Sequence, residues 1–317
     1  MTNDSTEIRI ALVGDIHGFW TMVDTEYFGR SSYGSIFFTG DLGNNRPGNA
    51  NRIAKEIAKI PKPKYLIPGN HDSTSFFQLA VELFGFSPKL GNLSFPLHFL
   101  RWKKFLHDLG DIKVCRYNLF SESSDYSLLG ARPLSMGGRL NFIPFLKYFH
   151  GIGTMEESSQ RLLSLLEDAD SQKDLLVLAH NGPSGLGARA KDIWGCDFRK
   201  EEGDFGDGDL GDFILESVLR NRAPKVVVAG HMHHSSRKGK QKTRVWKKRK
   251  EGILYVNPAR VPRIFTDPNG NIWHHHVTLV RRNGIWDADA IFLKNGREEV
   301  FPLPEFLERE KASVQEE

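Results

Sequence analysis

Ile8-Arg-Ile-Ala-Leu-Val13 runs straight into Gly14-Asp15-Ile16-His17-Gly18. The first six residues read as a buried strand, and the glycines allow the sharp turn that follows. The same grammar recurs four times. Ser35-Ile-Phe-Phe-Thr39 runs into Gly40-Asp41-Leu42-Gly43-Asn44, and Lys64-Tyr-Leu-Ile67 into Gly69-Asn70-His71-Asp72. Asp174–Ala179 runs into His180-Asn181-Gly182, and Lys225–Ala229 into Gly230-His231-Met232-His233. Between the second and third strands, Ile53, Ile57 and Ile60 have helical spacing and stop at Pro61. Short apolar strands separated by helices predict parallel βαβ units.

In an open α/β sheet the carboxyl ends of parallel strands line one crevice, where ligands bind. Asp15, His17, Asp41, Asn70, His180, His231 and His233 would meet there. Each piece alone has an ordinary reading: a turn aspartate, a helix start, a pair of histidines straddling a sheet edge. Five in order, each at a strand end, predict a mixed oxygen and nitrogen ligand set large enough for two divalent metals sharing one aspartate.

These blocks resemble the calcineurin-like metallophosphoesterase superfamily, whose pattern is Asp-x-His, Gly-Asp, Gly-Asn-His-Asp/Glu, a later His, then Gly-His-x-His. The match spans Asp15 to His233. The resemblance implies an α/β fold, a sandwich of two mixed β-sheets flanked by helices, with the strands after Gly252 in the second sheet. It implies that Asp15, His17, Asp41 and His233 hold one metal, and that Asp41, Asn70, His180 and His231 hold the other. It implies that His71, with Asp72 orienting its ring, is the general acid or a transition-state donor near the leaving oxygen. The implied activity is metal-dependent hydrolysis of a phosphomonoester or phosphodiester, by in-line attack of water activated between the metals. Such ligands suit Mn, Fe or Zn.

One departure separates the chain from the protein Ser/Thr phosphatase branch. That branch has Asp then Arg where Asn44 and Asn45 stand, and Glu where Asp72 stands. Arg46 and Arg132 are candidate substrate contacts, with a surface salt bridge as the alternative for each.

The chain has 317 residues, 39% hydrophobic and 11% aromatic, which excludes a disordered chain. Cys115 and Cys196 form no CxxC pair, so no disulfide scaffold is encoded. There is no apolar run of about 18 residues to span a membrane, and the first apolar segment is too short for a signal-peptide core. A cytoplasmic protein is expected, or a stromal one in a plastid.

Net charge is +4, but nine basic residues and no acid lie between Arg237 and Lys250; subtracting nine from +4 leaves −5 elsewhere. That segment predicts a guide for a phosphorylated small molecule or nucleotide, or a contact for nucleic acid or anionic membrane. Trp246 within it would stack on a base or sit at a membrane interface, and a solvated hairpin is the plain alternative. The competing function is a catalytically weak phosphoesterase-like module that docks through this segment.

The expected organisation is one domain over 1–300, with an irregular insertion at about 76–151 and a polar tail over 301–317. Thr154 and Glu157 predict a capping box opening a helix to Ala169. Gly182–Gly211 reads as an exposed loop, and Gly203–Asp212 as a lid or plain loop. His274, His275 and His276 read as strand residues with one or two imidazoles exposed, and His234 as a neighbour supporting the ligands.

Overall fold

The computed structural model describes residues 7–44, 46, 48–72, 81, 88–196, 203–235 and 244–301. The expected polar tail, apart from buried Phe301, and Arg237, Lys238, Lys240 and Lys242 lie outside them.

Two sheets form the body. The first holds β1 (Ile8–Val13), β2 (Ser35–Phe38), β3 (Lys64–Leu66) and β4 (Lys113–Val114) side by side and parallel. It continues on the other edge through β12 (Ile272–Arg282), β13 (Ile285–Lys294) and β14 (Arg297–Glu298), with β12 antiparallel to β1 and β11 (Ile264–Thr266) paired to β12. The second sheet has β6 (Tyr126–Gly130), β7 (Asp174–Ala179), β8 (Val226–Ala229) and β10 (Ile253–Val256) in parallel. Antiparallel β5 (Asn118–Phe120) and β9 (Lys247–Lys250) form its edges.

Alternate residues of each strand serve different layers. Ile10 and Leu12 pack with Leu176, Leu178, Val226 and Val228 between the sheets. Ala11 and Val13 share the other core with helix residues Ile53 and Ile57. Burial on both faces is why these strands read as continuous apolar runs. The helices are α1 (Met22–Arg30), α2 (Asn49–Ala58), α3 (Pro88–Leu109), α4 (Ile143–His150), α5 (Met155–Asp168) and α6 (Gly208–Leu219). At α5 the Thr154 Oγ1 accepts from Glu157 N at 3.1 Å and the Glu157 carboxylate accepts from Thr154 N at 3.2 Å. Such a cap stabilises a helix by about 1 kcal/mol.

Three expectations are corrected. The described residues of the expected irregular segment, 88–151, are more regular than that: they supply β4 to one sheet and β5 and β6 to the other. They also hold the 22-residue α3, which runs through Pro96 because buried Trp102, Phe105 and Leu109 anchor it by packing. Of the strands after Gly252 only β10 joins the second sheet; β11 to β14 extend the first, where β12 covers the open edge of β1. The triplet His274–His276 is wholly buried, since Asp24, Phe28 and Tyr33 lie against it.

Candidate metal centre

Three of the chemistry-bearing residues sit at backbone angles that side chains rarely adopt: φ is 45° at His17, 50° at Asp41 and 65° at His231. Each costs of order 1–3 kcal/mol and persists only where the surroundings impose it. His17 N donates to Asp41 O at 2.8 Å and Gly18 N to Leu42 O at 2.9 Å, locking the loops after β1 and β2 together. The neighbouring glycines leave room for the ligands. A Cβ at Gly69 would fall 2.2 Å from Asp41 Oδ1, and one at Gly230 would fall 2.2 Å from Asp15 Oδ1. Gly230→Ala is therefore expected to displace the Asp15 carboxylate and lower bound metal to below half the parental content, as read by elemental analysis of the purified variant.

The parallel strands deliver their carboxyl ends to one rim, and the side chains converge there. His17 Nε2 lies 3.1 Å from His233 Nε2, and His233 Nε2 lies 3.4 Å from Asp15 Oδ2. Asp41 Oδ2 is 3.7 Å from His17 Nε2 and 3.6 Å from His180 Nε2. His180 Nε2 is 3.0 Å from Asn70 Oδ1, and the His180 and His231 rings stand 5.1 Å apart. Among the described residues two groups have ligand atoms within 4.8 Å of one another: Asp15, His17 and His233, and Asp41, His180 and His231. Asp41 faces both. Imidazoles and carboxylates aimed at one another in this way are a poor arrangement for a self-sufficient core and a good donor set for divalent cations.

The outer contacts fix these groups. Thr39 Oγ1 donates to Asp15 Oδ1 at 3.0 Å, His231 N donates to Asp15 Oδ2 at 2.9 Å, and His180 Nδ1 lies 2.6 Å from Thr39 O. With the Nδ1 proton on that carbonyl, Nε2 keeps its lone pair for a metal. Burial disfavours the Asp15 carboxylate, but the His233 hydrogen bond and the imidazoles of His180 and His17 outweigh it and hold its carboxyl below the ordinary range. Burial, then the neighbouring His180, push His231 down to about 3, and burial also lowers His17. Neutral imidazole is the form that binds metal.

A family model for calcineurin-like phosphoesterases matches residues 8–235, most of the chain and every one of these groups. The chain belongs to the calcineurin-like phosphoesterase family. It is a metal-dependent phosphoesterase. Among solved structures, TT1561 of Thermus thermophilus aligns at 10% identity over 90% of this chain and 99% of its own, with a TM-score of 0.50; that likeness is one of fold. The phosphopantetheinyl hydrolase PptH from Mycobacterium tuberculosis aligns at 12% identity over 80% and 89%, with a TM-score of 0.42. Comparison with curated proteins returns no match.

His71 stands beside the ligand groups, whereas Asp72 and Arg132 have partners other than those expected. His71 Nε2 is 4.0 Å from Asp41 Oδ2 and its ring stands edge-on to His17, outside both ligand groups. Asp72 does not orient that ring through a hydrogen bond. Its carboxylate accepts from Asp41 N at 2.9 Å, Leu42 N at 2.6 Å and Gly69 N at 2.8 Å, so it fastens the β2 loop to the β3 loop. Arg132 is neither on the surface nor presented to solvent. It is buried, with Nε 2.9 Å from Asp209 Oδ2 and Nη2 3.0 Å from Asp207 Oδ1. The glycine- and aspartate-rich stretch is thus the counter-charge of a buried cation at the start of α6, not a lid. Ile193, Trp194 and Cys196 of the supposed exposed loop are buried as well.

Arg46 is exposed; Asn44 Oδ1 accepts from Asn49 Nδ2 at 2.8 Å. Trp246 is buried, so it cannot stack on a base or enter a membrane interface. Lys247 and Arg249 lean on β13, with Lys247 Nζ 3.1 Å from Asp287 Oδ1, so part of the basic charge is neutralised. No described helix is long and apolar enough to cross a membrane. His234 is buried beside the ligands, its Nε2 2.7 Å from Asn257 O.

Proposed function

We propose that this phosphoesterase hydrolyses the phosphate ester of a small molecule or nucleotide with two divalent metals. One is held by Asp15, His17, Asp41 and His233, the other by Asp41, Asn70, His180 and His231. The observation that carries the reading is the opposition of His17 Nε2 and His233 Nε2 at 3.1 Å beside the doubly facing Asp41. When bound, Mn, Fe or Zn supplies Lewis-acid charge for the phosphoryl oxygens and makes water a stronger nucleophile at neutral pH.

The chain's own residues do the rest. Asp41 keeps the two histidine pairs in register, and its Oδ1 accepts from His71 N at 2.8 Å, which fixes the loop that carries the His71 ring. His71, with a side chain 22% exposed and 4.0 Å from Asp41, supplies the proton that the leaving oxygen requires. Asn70 contributes a neutral oxygen, so the site stays cationic toward phosphate. Arg46 remains available to an arriving phosphate from the exposed turn before α2.

Hydrolysis of an aryl phosphate monoester and a bis-aryl diester tests the reading. Protein stripped with chelator is expected to be inactive on both, and Mn is expected to restore one or both. No turnover of either ester by the Mn-loaded chain would favour the docking module instead.

A further inference from the structure

The loop His231–His234 must aim two histidines at different ligand groups while His231 holds a φ of 65°. Side chains from two other segments brace its backbone and that of Gly230. Trp194 Nε1 donates to Gly230 O at 3.2 Å, and Asn257 Nδ2 donates to Met232 O at 2.7 Å. Arg244 supplies two more contacts: its Nε donates to His233 O at 3.0 Å and its backbone N donates to His234 O at 2.7 Å.

The Arg244 guanidinium reaches further. Its Nη1 donates to Asp192 O at 2.7 Å and to Gly195 O at 2.6 Å, in the segment that follows β7. The side chain is almost wholly buried, at 2% exposure. One rigid fork therefore ties the carbonyl of a ligand-bearing histidine to a second loop. A lysine ammonium is a point charge and cannot span these carbonyls from one planar group. Read by charge alone, Arg244 is one of nine cations in a solvated run; by contact it belongs to the metal centre.

We propose that Arg244 is a positioning residue for the metal centre. By holding His233 O it fixes the direction of the His231 and His233 rings, and so sets metal affinity. This rests on the reading of the site as a metal centre. Losing a residue that orients metal ligands typically weakens affinity about 10–100-fold.

Calorimetric titration of Mn into the chelator-stripped full chain tests it, with Arg244→Lys and Arg244→Gln beside the parent and the melting temperature of each stripped protein recorded. Parental protein that binds no Mn would refute the metal-centre reading itself, whatever the variants do. With a parent that binds, the proposal expects folded variants whose Mn affinity falls at least about tenfold, with Lys no better than Gln because the fork, not the charge, is needed. Parental affinity in a folded variant would overturn it, whether or not the melting temperature falls, since that marks a purely structural arginine. Failure of both variants to fold would overturn it as well, because a residue that only aims ligands is dispensable to the fold.

Discussion

Asp41→Asn is expected to lower kcat/KM by about 10³-fold or more, about 4 kcal/mol of transition-state stabilisation, and to reduce bound metal. The substitution is gentle on the backbone. Asn tolerates the left-handed conformation that Asp41 adopts at φ 50°, so the turn survives while the charge goes. What is lost is the carboxylate that faces His17 at 3.7 Å and His180 at 3.6 Å. Steady-state kinetics and elemental analysis of the same preparation check it. Near-parental turnover with full metal content would remove Asp41 from its shared position.

His71→Ala separates acid from ligand. The ring lies outside both ligand groups, so metal content is expected to stay at the parental level. Turnover of an alkyl ester, whose leaving oxygen needs a proton, is expected to fall about 10²–10⁴-fold. An aryl ester with a good leaving group is expected to lose far less. Equal losses on both esters would take the acid role from His71, and loss of metal would make it a ligand.

The legible parts of this fold were those written locally. An apolar run followed by Gly and a chemically active residue states a buried strand and its end, and five such statements share one rim. The capping box at Thr154 and Glu157 was equally local. What stayed hidden depends on partners far along the chain. Asp72 sits beside His71 in sequence, yet besides the nearby Gly69 N its partners are N–H groups of Asp41 and Leu42, at separations of 31 and 30 residues. Arg132 finds Asp209 at a separation of 77 residues, and His274 finds Asp24 at 250. Charge density hid Arg244, because a basic run reads as a solvated face whatever one member does. Pro96 hid α3, because local propensity speaks against a helix that tertiary packing then imposes.

In this phosphoesterase Asp41 is expected to couple two metals at the shared rim of the sheets. Electron paramagnetic resonance of the chelator-stripped chain titrated with Mn(II) tests it most directly. Uptake of two Mn per chain is expected, one for each ligand group, with an exchange-coupled multiline signal at saturation. Uptake of a single Mn, or only the six-line signal of isolated ions at saturation, would contradict it.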